Sequence, residues 1–179
     1  MIVVIGGPPG GGKTTAAERF AAAHGYVLVS AGLLFREMAR DAGMDLAAFG
    51  RKAESDASID RELDGRVLER VLREDSLGHD VVVDGRIQAQ LLSERRVPCL
   101  KVWIDAPLEV RAKRIAGREG KAVDVAMREI ADRGRSERSR YRSIYGIDLD
   151  DTQVFDLLID SSDKAPDEIV ALVASRVDG

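Results

Sequence analysis

The chain has 179 residues, 45% apolar, 32% charged and only 4% aromatic, with a formal net charge of −4. That length suits one α/β domain with room for a small mobile insertion, and the balance supplies a core of Val, Ile, Leu and Ala beneath a charged surface. It excludes a transmembrane span, argues against a protein that coats nucleic acid, and leaves Cys99 as the only cysteine, so that no internal disulfide forms and a reducing cytoplasm is the expected setting.

Ile2–Ile5 is a short apolar run without a basic flank, read as a buried strand and not as a signal peptide. It leads into Gly7-Pro8-Pro9-Gly10-Gly11-Gly12-Lys13-Thr14, followed by Thr15, which fits the phosphate-binding pattern G-x-x-x-x-G-K-[ST] in its required context between a strand and a helix. Glycines let the backbone curl so that its N–H groups face phosphate oxygens, and the helix adds the positive end of its dipole. In such a loop Lys13 bridges the β- and γ-phosphates of ATP and the Thr14 hydroxyl ligates magnesium. The helix Thr14–His24 ends at Gly25, and Tyr26–Val29 is a second strand.

Ser30 to Arg36 follows that strand, which puts Arg36 about one turn into a helix, ready to fork onto a monophosphate. The stretch from Gly32 to Gly78 is too long for a simple connection. Its pattern predicts helices near 32–42, 45–54 and 59–74, with Asp45 and either Ser58 or Asp60 as N-caps. Val81–Asp84 is a third strand. Asp84 at its C-terminal end lies where ligands collect in parallel sheets, suited to a magnesium-bound water or to the acceptor, and Arg86 is two residues on. Lys101–Ile104 and Asp156–Ile159 complete five strands that lack polar alternation and are separated by helices, the signature of a parallel sheet covered on both faces.

Between the last two strands, Pro107 opens a helix over 108–118, Gly117 and Gly120 flank a bend, and a second helix runs from about 123 to 145. A last helix spans Pro166–Val177. Residues 111–142 hold eleven Lys or Arg against five Asp or Glu, whereas residues 143–179 hold two against nine. Arg111, Arg114 and Arg118 share one helix face, and Arg133, Glu137 and Arg140 repeat the spacing on the next. Two arginine faces joined across a bend form a lid over phosphates, or else a solvated helical hairpin. Arg128, Arg135, Arg138 and Arg142 read as surface charge. A phosphate loop alone also fits an ATP-dependent switch, but a phosphotransferase alone needs a charged, water-excluding cover.

The ordered set of Gly6–Thr15, Ser30-Ala31-Gly32 with Phe35-Arg36, Ile59-Asp60 with Asp64, Asp84-Gly85-Arg86, Ala106 to Arg111, Arg118 to Lys121 and Ser136 to Tyr141 resembles the nucleoside monophosphate kinases, and in particular the short cytidylate kinases of archaea and some bacteria. The resemblance covers nearly the whole chain. It implies a P-loop NTPase fold of three α/β/α layers with a five-stranded parallel sheet of order 2-3-1-4-5. It divides the chain into a core (1–31, 76–116, 135–179), an acceptor-binding region (32–75) and a lid (117–134). The implied reaction moves the ATP γ-phosphate to CMP or dCMP with Mg2+, leaving UMP, AMP or another small acceptor open. Ser30, Arg36 and Arg86 would meet the acceptor, Arg133, Glu137 and Arg140 would join acceptor and transferring phosphates, and Arg114 and Arg118 would lie along ATP. Asp60 and Asp64 are candidates to read a cytosine amino group, or are solvated acids on a helix face. Gly134 stands where relatives commonly carry an acid, and Glu137 where they carry an aspartate. The expected partners are free nucleotides, without nucleic acid or membrane, and the expected state is a monomer.

Overall fold

The computed structural model describes residues 1–177. In chain order the elements are β1 (Ile2–Gly6), α1 (Lys13–His24), β2 (Val27–Ser30), α2 (Ala31–Asp41), α3 (Leu46–Ser55), α4 (Ala57–Ser76), β3 (Val81–Asp84), α5 (Gln88–Glu94), β4 (Leu100–Asp105), α6 (Leu108–Glu119), α7 (Val123–Tyr145), β5 (Leu157–Asp160) and α8 (Pro166–Val177). The five strands are parallel in the order β2-β3-β1-β4-β5, the doubly wound arrangement that the sequence pattern and its resemblance imply. Among the described residues no helix is long and apolar enough to cross a membrane.

Alternation along the central strands explains the layers. Ile2 and Val4 of β1 point to one face with Val81 and Val83 of β3, where α2, α3, α4 and α5 cover them. Val3, Ile5 and Val82 point to the other, under α1 and α8 with Phe20, Ile169 and Val173. The pair α6 and α7 builds a third, separate cluster from Ala112, Ile115, Ala116, Ala126 and Ile130, so this hairpin packs largely on itself.

Local signals place most element ends. Gly25 closes α1 in the left-handed region at φ 73°, its N–H donating to the Ala21 carbonyl. Asp45 caps α3, accepting from Ala48 N at 2.8 Å. The cap of α4 is Asp56, which accepts from Ser58 N at 3.0 Å, and not Ser58 or Asp60; the helix therefore starts two residues before the expected 59. Gly117 lies inside α6, and Gly120 alone makes the break, at φ 64°. The short helix α5 has no counterpart among the predicted elements.

Asp60 and Asp64 lie on the buried face of α4, 2% and 3% exposed, which overturns the reading of both as solvated acids. Asp64 joins three helices: its Oδ1 accepts from Gln88 Nε2 at 2.9 Å and its Oδ2 from the Tyr145 hydroxyl at 2.9 Å. Burial pushes this carboxyl from its ordinary 3.8 up to about 7; Asp60 adds to the rise, while Tyr145, Gln88 and Arg140 oppose it. A carboxyl that holds its proton more tightly in the folded state contributes stability below its unfolded pKa and loses it as pH rises through the folded one. Urea denaturation should therefore show the stability of the wild type, relative to Asp64→Asn, falling between pH 4 and pH 7 by up to about 1.4 kcal/mol per pH unit. A difference that stays flat across this range would contradict the assignment.

Candidate active site

The loop between β1 and α1 is shaped by what glycine alone permits. Gly7 has φ 149°, and a Cβ there would fall 2.1 Å from the Ile104 carbonyl oxygen, so the chain passes β4 more closely than any side chain allows. Gly12, at φ 101°, occupies the N-cap of α1 without a side-chain cap, and nothing stands within 4 Å of where its Cβ would be. The first N–H groups of α1 are thus left without intrahelical partners at the positive end of the helix, which suits an anion. Within the loop, Gly11 N donates to the Pro8 carbonyl at 3.2 Å.

Two arginines of α6 brace this loop from outside. Arg111 donates through Nε to the Ala106 carbonyl at 2.8 Å and through Nη1 to the Pro9 carbonyl at 3.3 Å, and pairs with Asp105 at 3.4 Å. Arg114 Nη1 donates to Ser161 Oγ at 2.9 Å and to the carbonyls of Gly10 and Gly11 at 3.3 and 3.4 Å, while Nη2 donates to the Ser161 carbonyl at 2.5 Å. Ser161, fully buried at the end of β5, donates to the Gly11 carbonyl at 2.7 Å. Holding the carbonyls outward leaves the amides for a ligand. Arg114, expected along the ATP, lines the cleft but commits these N–H groups to Ser161 and to the loop's carbonyls. Ser161 carries no sequence signal for this role.

On the ligand side, Thr14 Oγ1 donates to Asp84 Oδ2 at 3.0 Å, and Ser30 Oγ donates to the same oxygen at 3.1 Å. Ser30 also caps α2, so its hydroxyl, expected at the acceptor, serves Asp84 and the helix end. Lys13 Nζ stands 4.0 Å from Asp84 Oδ1. Burial lowers the Lys13 pKa; Asp84 opposes this, and the cations Arg133 and Arg86 add to it. Asp84 Oδ1 is buried and accepts no hydrogen bond. An anionic oxygen without a donor, beside a threonine hydroxyl, fits a magnesium ion or one of its waters. Among the described residues no group of three or more His, Cys, Asp or Glu is placed to hold a metal, so such an ion would rely on phosphate oxygens and water for its remaining ligands.

Facing the loop stands a set of arginines. Glu137 of α7, 5% exposed, accepts from Arg86 Nε at 2.8 Å and from Arg133 Nε at 2.6 Å. Burial alone would raise its carboxyl, but the Arg133 and Arg86 guanidiniums outweigh that and hold it below the usual range. Arg86 Nη1 is buried without a partner. Arg140 Nε donates to Asp60 Oδ2 at 2.8 Å, and its Nη1 to Ser136 Oγ at 2.8 Å. Arg36 is exposed at the cleft, and its side chain makes no hydrogen bond among the described residues; Arg118 is exposed and paired with Glu119 at 2.8 Å. Thr15, Pro9, Arg36, Asp60, Arg118 and Arg133 all line one cleft of about 1180 Å³, together with the phosphate loop. Gly134 is buried within α7, where an added Cβ would meet the Arg138 guanidinium first, at 3.4 Å.

Comparison with known proteins agrees with this geometry. Residues 2–163 match the model of the cytidylate kinase-like family. A protein named cytidylate kinase from Methanocaldococcus jannaschii is 42% identical over 179 residues, covering 99% of this chain and 98% of that one. Another so named, from Pyrococcus furiosus, is 39% identical over 178 residues, covering 99% and 88%. Among solved structures, an uncharacterized protein from Eubacterium ventriosum superposes with a TM-score of 0.74 at 18% identity, covering 100% of this chain and 99% of that one. Shikimate kinase from Bacteroides thetaiotaomicron does so at 0.63 and 14%, with the same coverage. At such identities these two share the fold alone. The match along residues 2–163 and the near-complete overlap with the archaeal relatives show that the chain belongs to the cytidylate kinase-like family.

Proposed function

We propose that this chain is a magnesium-dependent nucleoside monophosphate kinase that transfers the ATP γ-phosphoryl group to CMP, and to dCMP, giving ADP and the diphosphate. The observation that carries this reading is the opposition, across one cleft, of a phosphate loop and four arginines, Arg36, Arg86, Arg133 and Arg140. A switch or simple ATPase has no use for a second anion site. The relatives named cytidylate kinase direct the choice of acceptor to a cytidine nucleotide.

The backbone N–H groups of Gly7, Gly10, Gly12, Lys13 and Thr14 and the Lys13 ammonium hold the triphosphate, with Thr15 and Arg118 at its edges. Arg36 and the free Nη1 of Arg86 take the acceptor phosphate. One of that phosphate's oxygens is the nucleophile: it attacks the γ-phosphorus in line, the bond to the β–γ bridging oxygen breaks, and ADP leaves with that electron pair. No covalent enzyme intermediate is needed. Thr14 and Asp84 would hold the magnesium ion, which neutralises charge on the phosphate oxygens when bound. Arg133 and Arg140 exchange Glu137 and Asp60 for phosphate oxygens as the hairpin over 117–134 closes, excluding water that would otherwise hydrolyse ATP. Asp60, released by Arg140, is then available to the cytosine amino group. The enzyme works as a monomer on free cytoplasmic nucleotides.

A coupled assay across CMP, dCMP, UMP, AMP and shikimate tests the reading: ATP turnover should depend on an added monophosphate and be fastest with CMP or dCMP. Turnover indifferent to any acceptor would reject it. Lys13→Ala should lower kcat by about 100-fold or more with every acceptor, the scale of losing one preorganised donor in a transition state. Arg36→Ala should raise the acceptor KM by about tenfold and leave the ATP KM nearly unchanged, as expected for one charge-assisted contact. Asp84→Asn should raise the magnesium concentration for half-maximal rate about tenfold, since a charged ligand becomes neutral; an unchanged requirement would remove Asp84 from the metal site.

A further inference from the structure

The turn that carries Arg86 away from Asp84 has little regular structure of its own, spanning the gap between β3 and α5. Gly85 N donates to the Ile5 carbonyl at 3.3 Å. Beyond it the fully buried Gln88 side chain folds back on the turn: its Oε1 accepts from Ile87 N at 3.1 Å and lies so close that a Cβ on Gly85 would meet it at 1.9 Å. This orientation leaves the amide no choice. With Oε1 committed to the turn, Nε2 must face an acceptor, and Asp64 Oδ1 supplies one at 2.9 Å. The second oxygen of Asp64 accepts from Tyr145 at the end of α7. One carboxylate thereby links the acceptor-side helix α4, the turn that bears Arg86, and the helix that bears Glu137, to which Arg86 is paired. Neither Asp64, Gln88 nor Tyr145 lines the cleft, although Asp60, Leu63, Gly85, Arg86 and Tyr141 do.

We infer that Asp64 and Gln88 are positioning residues for the acceptor site: their hydrogen-bonded pair fixes the Gly85 turn, and through it the direction in which the Arg86 guanidinium meets the acceptor phosphate. The inference rests on Arg86 being a ligand of that phosphate. A buried carboxylate and amide are costly where apolar side chains would fill the same space, and what they add is direction. A guanidinium grips phosphate through a planar fork, so a small rotation of its backbone changes the fit more than it changes the fold.

Reversing the polarity of the pair tests this. At pH 8, Gln88→Glu keeps an acceptor for Ile87 N but sets a second carboxylate against Asp64. The acceptor KM should rise about tenfold, the scale of one mismatched buried polar contact, while the ATP KM stays within about twofold. Adding Asp64→Asn returns a donor to that carboxylate and keeps an acceptor for Tyr145, and should bring the acceptor KM back to within about threefold of wild type, which a residue acting through packing alone would not do. The fluorescence of Trp103, the only tryptophan, gives a second readout without substrate, because Arg86 Cζ lies 5.7 Å from its ring centroid. Its emission should shift in the single variant and revert in the double. An unaffected single variant, a double variant no better than the single, or equal changes in both KM values would overturn the inference. If wild type phosphorylated no monophosphate, the role of Arg86 would fail on its own, and the Trp103 signal would still report whether the pair sets the turn. Should Gln88→Glu not fold, Tyr145→Phe takes its place: a rise of about threefold in acceptor KM is expected from losing one donor, and no rise overturns the inference.

Discussion

Asp84 is the carboxylate on which the charge balance of the cleft turns. It ends β3, the strand between β1 and β2, with Ser30 and Ile5 beside it in register. From there it meets the hydroxyls of Thr14 and Ser30 and stands 4.0 Å from Lys13. Burial and two nearby guanidiniums disfavour the lysine's charge, and Asp84 is the largest influence restoring it. The parallel topology makes this possible, since it brings the C-terminal ends of three strands to one edge, where the loop and α1 also begin. A neutral residue at 84 would leave the ammonium poorly compensated and take the donor-free, charged oxygen away from a cation.

The opposite side of the cleft, the proposed acceptor site, rests on the same balance in mirror image. Arg86, Arg133 and Arg140 stand among carboxylates, Glu137 and Asp60, which occupy directions a phosphate would take. Unpaired, such guanidiniums would repel one another, whereas a dianionic phosphate offers each a stronger partner than a shared carboxylate. Arg133 is largely exposed, so its pair with Glu137 is easily exchanged; Arg86 is mostly buried and keeps one nitrogen without a partner. The α6–α7 hairpin has its own small apolar cluster, while Arg111 and Arg114 tie its base to the phosphate loop and Tyr141 and Tyr145 tie the end of α7 to the main core.

Much of this was legible from the residues. The phosphate loop announces itself because its glycines, lysine and threonine fall within eight successive positions, Gly7 to Thr14, between a strand and a helix. The five strands stand out as short, mostly apolar runs, Val and Ile alone before the last residue of β1 and β3 and mixed with Leu or Trp in the others, and the pair Arg133–Glu137 follows from helical spacing. What stayed hidden depends on contacts distant in sequence. Arg111, Arg114 and Arg118 share a helix face, but only the fold sends the first two to the carbonyls of the loop and leaves the third in solvent. Ser161 lies 150 residues from the Gly11 carbonyl it supports. Helix α5, at seven residues, is too short to develop a period. The acids of α4 resemble surface charge until Arg140, Gln88 and Tyr145 are found against them.

A bisubstrate analogue with cytidine and adenosine joined through a phosphate chain addresses the two-anion cleft most directly. A crystal structure of its complex should show one phosphate end within the amides of the loop and the other against Arg36 and Arg86, with Arg133 and Arg140 turned from Glu137 and Asp60 onto phosphate oxygens. An ordered adenosine half with a disordered cytidine half, and both arginines still on their carboxylates, would contradict the account.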